Sequence, residues 1–485
     1  MLNISDYYKD INVQKRQLEY CGVQKELLDL NDDISELIGH MTAEYLVGWG
    51  GDLKRKIGKE FQAVDNSKFN WILNNQLDPF RAVRDTKSTL GVLDVEYCSK
   101  KYPGDVYLDQ NAAFWKIEPL YQCLKHIMFS YGIKPLTTAT GQGYHLSFRV
   151  DKETAAHKSL ESISHVEETL VGKYCHVPFG SKRKSPVFKE EAQGYDGMGR
   201  LMEYLFQQAI KKSNEFSVFL PITLGDVAVG NERMESLSID LSAYANPIFM
   251  RDVRLPFGSH QKHKFKKEIG LDAQRIPIQV AVPRYTPFND NELKMHELFE
   301  NRRHYRNCAN YAATISTEIP ECGEGVLKMI SDYKKSKLYE FHQDYDKTKQ
   351  ELPEQWPRTY DKFELEKVPP CVSHALAHPN PHLLQPAQIQ TVVRILTGKQ
   401  WWHPKHVAGL IRSKYERNHG WEIDFNKYDA NAWATIWTRM YSGLLATGLD
   451  QRTDQNCISH QEKGQSWDKN YCVKPNCGYD LGSYK

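Results

Sequence analysis

No uninterrupted apolar stretch in this chain is long enough to span a bilayer, and Met1–Asp10 has neither the basic start nor the apolar run of a secretory leader. A cytoplasmic protein with no membrane partner is therefore expected. An excess of one charge is also missing: Lys and Arg number 63 against 61 Asp and Glu, so any polyanion must be met by local basic patches. None of the ten cysteines falls in a Cys-x-x-Cys pair, which removes the common zinc-knuckle pattern, and a cytoplasmic setting argues against a disulfide framework.

A hydrophobic share of 40% with 26% charged residues argues against wholesale disorder, and 485 residues exceed what one core usually organises. Two or three folded units are expected.

Leu90-Gly-Val-Leu-Asp-Val-Glu-Tyr97 is rich in β-formers and predicts a strand. In a strand Asp94 and Glu96 share one face, while Leu93, Val95 and Tyr97 point the other way. Two neighbouring carboxylates repel unless a proton or cation relieves them, which suggests a divalent metal. The alternative is a solvent-facing strand with two surface acids.

Around this strand, residues from about Val13 to Gly48 predict a helical stretch, with Gly50-Gly51 as its stop. Phe114–Tyr131 predicts a helix ended by Gly132. The run Thr138–Val150 predicts a strand in which Tyr144, Leu146, Phe148 and Val150 alternate with His145, Ser147 and Arg149. Gly141 and Gly143 ahead of His145 would let the backbone approach a phosphate. The basic cluster Ser181–Lys184 and a glycine-rich loop at Gly194–Gly199 are expected at the surface, with a helix at Leu201–Lys211. A further short strand, Ser236–Leu241, carries Asp240. After it comes Arg251-Asp-Val-Arg-Leu-Pro-Phe-Gly-Ser-His-Gln-Lys262, whose cations could clamp a triphosphate.

In this order, over about residues 85–265, these segments resemble the archaeo-eukaryotic primase superfamily, which includes primase small subunits and primase-polymerases. Asp94-x-Glu96 matches the first motif and Gly141-Gln-Gly-Tyr-His145 the second. Ile239-Asp240 matches the third, and Arg254-Leu-Pro256, Ser259-His260 and Lys262 match the downstream pattern. The zinc cluster that many small subunits carry near the second motif has no counterpart, since Cys175 and His176 lack obvious partners.

The resemblance implies an α+β fold: a small-subunit-like mixed α/β catalytic domain with an RRM-like sheet, followed by an all-helical metal-cluster domain. It implies two Mg²⁺ or Mn²⁺ ions held by Asp94, Glu96 and Asp240, whose oxygen ligands suit such hard cations. His145, Arg254, Ser259, His260 and Lys262 would bind the nucleotide, with Arg251 a further candidate.

The last quarter of the chain holds four cysteines, Cys371, Cys457, Cys472 and Cys477, that frame a helical block. A polar, proline-bearing stretch from about Asp344 to Pro370 is expected to link it to the rest. Four thiolates suit zinc or an iron–sulfur cluster. Pro369-Pro-Cys371 leading into helices, with three later cysteines, resembles the iron–sulfur domain of the primase large subunit over about Pro369–Tyr484. That resemblance favours a [4Fe–4S] cluster over Zn²⁺, with His374 and His460 as substitute ligands. It also nominates Arg394, Arg412, Lys414, Arg417 and Arg439 as a nucleic-acid face. The tryptophans Trp433 and Trp437 are expected in the core.

The expected division is an N-terminal helical segment packing on the catalytic domain (1–75), the catalytic domain (76–285), a helical connector and linker (286–368) and the four-cysteine domain (369–485). The expected activity is that of a DNA primase-polymerase: template-dependent nucleotidyl transfer from NTP or dNTP on single-stranded DNA, with the cysteine domain assisting initiation. A replicative helicase or polymerase is a candidate partner. Three alternatives stand beside it: a repair or gap-filling polymerase that cannot prime, a non-catalytic nucleic-acid-binding protein with a structural cluster, and, from the carboxylates alone, a metal-dependent nuclease.

Overall fold

The computed structural model describes residues 3–484 apart from 52, 54–60, 175–186, 226, 228, 246–250, 378–382, 399, 401, 418–428 and 466–471. Cys175, His176 and the basic cluster Ser181–Lys184 lie outside the described residues. The fold is mixed α/β with several sheets. Two compact units are present. The first comprises Met1–Tyr97, Tyr102–Met202 and Ile248–Met329, and the second Cys98–Lys101, Glu203–Pro247 and Ile330–Lys485.

In chain order the strands are β1 (Leu46–Trp49), β2 (Phe61–Val64), β3 (Asp78–Ala82), β4 (Ser88–Ser99), β5 (Leu136–Ala139), β6 (Gly143–Asp151), β7 (Ile222–Leu224), β8 (Glu235–Asp240), β9 (Asp252–Arg254), β10 (Ser259–His260), β11 (Gln279–Val280) and β12 (Val282–Tyr285). The first unit contains the antiparallel arrays β2-β1-β3-β9 and β12-β5-β6-β4, with β10 and β11 paired separately. The second unit contains the parallel pair β7 and β8.

The expected acidic strand is β4, and it extends beyond both predicted ends. Leu93, Val95 and Tyr97 are buried on one face, and Asp94 and Glu96 are half-buried on the other. Pairing with β6 buries Tyr144, Leu146, Phe148 and Val150 on the apolar side. Helix Gln110–Ser130 covers that side: Phe114 meets Tyr144 edge-on at 5.3 Å, and Tyr121 lies 4.6 Å from the same ring. Full burial of such side chains contributes about 1.5–3 kcal/mol each. Gly132 follows the helix in a left-handed conformation that favours glycine.

Three expectations are corrected. The N-terminal helical stretch is broken into helices Ile11–Tyr20, Lys25–Leu30 and Ile34–Ile38, after which Leu46–Trp49 form β1. Asp10 and Asp33 cap two of these helices by accepting from backbone N–H groups, and Asp33 thereby starts a new element inside the stretch where a continuous helix was predicted.

The glycine-rich Gly194–Gly199 is not a loop. It lies inside the long helix Lys189–Lys212. A Cβ at Gly197 would sit 2.2 Å from the Leu160 carbonyl oxygen, and one at Gly194 would sit 2.5 Å from His157 Nε2. The glycines let helix Ala155–Ser162 approach closely.

The Asp344–Pro370 stretch is packed rather than an extended linker. Trp356 and Tyr360 are buried, Trp356 Nε1 donates to Glu351 O at 3.0 Å, and the Tyr360 ring fills the space left by Gly409. The helices that follow, Pro370–Ala377, Pro386–Gly398, Pro404–Tyr415 and Ala430–Ala446, enclose the second core, with Trp433 and Trp437 buried in it.

Candidate active site

Antiparallel register sets Asp94 opposite His145 and Glu96 opposite Gly143. A Cβ at Gly143 would lie 1.8 Å from the Val95 carbonyl oxygen, so only glycine permits this approach of β6 to β4. His145 Nε2 faces Asp94 Oδ1 at 3.4 Å, an ion-pair contact longer than a normal hydrogen bond. Asp94 Oδ1 and His145 Nδ1 are both buried and have no hydrogen-bond partner among the described residues.

Burial opposes the Asp94 charge, but His145, Lys262 and Arg251 together outweigh it and hold the carboxyl below its ordinary pKa. Lys262 Nζ donates to Gln142 Oε1 at 2.5 Å, tying the loop between β5 and β6 to the segment after β10. One carboxylate, a histidine and two cations thus act together at the Gly143 end of the β4–β6 ladder, with Glu96 one pleat further along. These are hard-oxygen and cationic groups of the kind that serve a divalent cation and a phosphate.

The Arg254–Lys262 segment is organised by a residue that the sequence reading missed. Asp78, at the start of β3 and fully buried, accepts from Arg254 Nη1 at 2.7 Å, from Ser259 Oγ at 2.6 Å and from Gln261 N at 2.9 Å. Tyr8 adds two bonds, its hydroxyl donating to Ser259 Oγ at 2.7 Å and accepting from Ser259 N at 2.8 Å. Arg254 also lies over the Phe80 ring, 4.4 Å from its centroid. Arg254 and Ser259, expected as nucleotide contacts, are thus committed to this buried network. An acid set in the apolar context Leu77-Asp-Pro-Phe80 was the available signal, because a buried carboxylate requires partners.

His260 is buried rather than open. Burial, then Arg254, Lys262, Arg302 and His263, push its pKa well below the usual histidine value, so at neutral pH it is an uncharged imidazole and not a cationic clamp. Its ring occupies the space where a Gly141 side chain would be, within 2.3 Å of the Cβ position. Tyr107 stacks on His263 at 4.9 Å and lies 5.9 Å from His260. Gly141 and Gly143, expected to open the backbone to phosphate, are required here by a histidine ring and by a neighbouring strand.

Asp240 ends β8 in the second unit. Its Oδ1 accepts from Ser242 N at 2.8 Å and lies 3.9 Å from the Cβ position of Gly225, which has φ +74° and sits against the Trp437 ring.

Among the expected nucleic-acid contacts, Arg394 and Arg439 are corrected. Arg394 is fully buried and pairs with Asp450 at 2.6 Å, while Arg439 pairs with Glu203 at 3.2 Å in a buried cluster with His342 and Tyr333. Arg417 reaches Asp361 at 2.5 Å, Lys414 approaches the same carboxylate at 3.9 Å, and Arg412 pairs with Glu416 at 2.7 Å. Arg412 and Arg417 also cover the Trp356 ring.

The four C-terminal cysteines act on one another electrostatically. Burial, then Cys472, Cys457 and Cys477, push the Cys371 thiol up to about 12. Burial with Cys457 and Cys477 also raises Cys472. Cys457 Sγ accepts from Leu481 N at 3.2 Å. Among the described residues, no group of three or more His, Cys, Asp or Glu side chains has metal-holding geometry. Cysteine sulfurs as a donor set suit a soft or borderline metal, which binds the deprotonated thiolate.

No helix among the described residues is long and apolar enough to cross a membrane. No family model, curated protein or solved structure matches this chain.

Proposed function

We propose that this protein is a single-chain primase-polymerase that joins NTP or dNTP on a single-stranded DNA template. The observation that carries the proposal is the pairing of Asp94 with His145 across β4 and β6, with Glu96 two residues along the same face and Lys262 and Arg251 acting on Asp94. Asp94 and Glu96, with Asp240 as the third carboxylate assigned by the primase resemblance, would hold Mg²⁺ or Mn²⁺. Bound there, such ions would supply Lewis-acid activation of the attacking 3′-hydroxyl and positive charge for the departing pyrophosphate. His145 orients the Asp94 carboxylate. Lys262 and Arg251 provide positive charge for the triphosphate, and the depressed Asp94 pKa keeps that side chain ionised at neutral pH.

Cys371, Cys457, Cys472 and Cys477 are proposed to hold a [4Fe–4S] cluster, with Zn²⁺ as the competing occupant, in a domain that assists initiation. Iron and broad visible absorbance in anaerobically purified protein would support the cluster, whereas stoichiometric zinc without iron would replace it with the competing metal.

Substituting Asp94 and Glu96 by Ala should abolish primer-free synthesis on a circular single-stranded template and extension of a supplied primer. The far-UV circular dichroism and thermal midpoint should stay close to those of the unmodified protein. Retained synthesis in the double variant would refute the proposal.

A further inference from the structure

Arg302 is a buried cation with no ion-pair partner among the described residues. It lies on helix Met295–Arg303, is fully buried, and donates from Nε to Val280 O at 3.3 Å. Nη1 and Nη2 have no hydrogen-bond partner among the described residues. The Phe114 ring, 5.6 Å away, offers a weak cation–π contact. Burial pushes its pKa down to about 10. The groups acting on it most strongly after burial are Tyr144, Cys308, Tyr107 and Arg303, and none of these is a carboxylate.

Tyr107 belongs to the same cluster and presents a second unmet donor. Its hydroxyl is buried and has no partner among the described residues, and its ring is stacked on His263, whose Nδ1 is equally unpartnered. The register of β10 and β11 sets His260 opposite Gln279, the residue before Val280 whose carbonyl takes Arg302 Nε, and the Tyr107 ring lies 5.9 Å from His260. The charge of Arg302 accordingly acts on Tyr107, His260 and His263, with Lys262, Glu96 and Arg254 also acting on Tyr107. Water could satisfy the hydrogen bonds of these donors but not the charge. A planar guanidinium fork with both terminal nitrogens open matches two oxygens of a tetrahedral oxyanion, and a phenolic hydroxyl can serve a third.

We propose that Arg302 and the Tyr107 hydroxyl form a binding site for a phosphate-type oxyanion. The anion neutralises the guanidinium and accepts the open N–H and O–H donors. Its source is either free inorganic phosphate or a phosphate group of a nucleotide. The site is defined by Arg302 and Tyr107 and does not depend on the polymerase proposal.

The test uses the full chain with inorganic phosphate as the probe, followed by calorimetric titration and by the thermal midpoint in phosphate and in chloride at matched ionic strength and pH. Phosphate should bind saturably and raise the midpoint more than chloride. Tyr107→Phe should weaken binding several-fold. Arg302→Lys, which keeps the charge but loses the fork, should weaken it tenfold or more while still folding. Arg302→Gln should abolish the phosphate-specific shift.

Equal responses to phosphate and chloride, or an unchanged phosphate affinity in both Tyr107→Phe and Arg302→Lys, would overturn the site. If a nucleoside triphosphate displaces phosphate while the bare nucleoside does not, the occupant is a nucleotide phosphate. If phosphate and triphosphate bind together, it is free phosphate. The Asp94→Ala, Glu96→Ala double variant should keep phosphate binding, which separates failure of this site from failure of the polymerase proposal.

Discussion

At the scale of single residues, the candidate site depends on charges placed where water does not reach. Asp78 holds Arg254, Ser259 and the Gln261 backbone from a fully buried position. Removing one partner of such a pair leaves the other charge unmet. Asp78→Asn should therefore destabilise the protein by about 3–5 kcal/mol in urea unfolding, by the usual cost of breaking a buried pair. An Asp78→Leu, Arg254→Met double variant should cost less than the sum of its single substitutions, as expected for residues in contact.

His260 gives a pH signature. Its folded pKa lies well below the ordinary 6.5, so the unfolded chain binds a proton that the folded protein refuses. Stability should therefore fall as pH drops below about 6.5, by up to about 1.4 kcal/mol per unit, until the folded pKa is reached. His260→Gln should flatten that slope in unfolding curves measured between neutral and mildly acidic pH. His157 and His263, also depressed, should leave a smaller slope of the same sign.

At the scale of elements, glycine decides which strands and helices can touch. Gly→Ala inside an exposed helix normally stabilises by about 1 kcal/mol. At Gly197 the sign should reverse, because the new methyl would meet the Leu160 carbonyl oxygen. A lower thermal midpoint for Gly197→Ala is the expected result, and a higher one would show that the helices can separate freely. Gly143→Ala should do more than lower stability. By forcing β6 away from β4 it should disturb the register that sets His145 opposite Asp94, so any nucleotidyl transfer should fall along with the midpoint.

At the scale of the whole molecule, the proposed division of labour between catalysis and initiation makes separable predictions. Cys371→Ser should lower bound iron or zinc and remove primer-free synthesis while leaving extension of a supplied primer near its original rate. Equal loss of both activities would show that the cysteine centre serves the whole fold rather than initiation. Arg394→Met and Arg439→Met should lower stability through their orphaned partners Asp450 and Glu203 without a specific loss of DNA affinity, as measured by salt-dependent binding.

The alternation of apolar and polar residues determined β4, β6 and the face on which Asp94, Glu96 and His145 lie, because a strand's side-chain period is local and needs no partner to be read. The helices around Phe114 and Trp433 were legible for the same reason. The breaks after Tyr20 and Leu30 were not, nor was the helix through Gly194–Gly199, because capping and close helix approach depend on neighbours distant in the chain.

The site divides in the same way. Residue identity marked the carboxylates, the histidine and the cations after β9. Only the tertiary structure decided that Arg254 serves Asp78, that His260 is neutral, that Arg394 and Arg439 are interior, and that the Arg302 fork is unpaired among the described residues. Burial and charge pairing arise between segments separated by tens to hundreds of residues, and they set what each ionisable side chain can do.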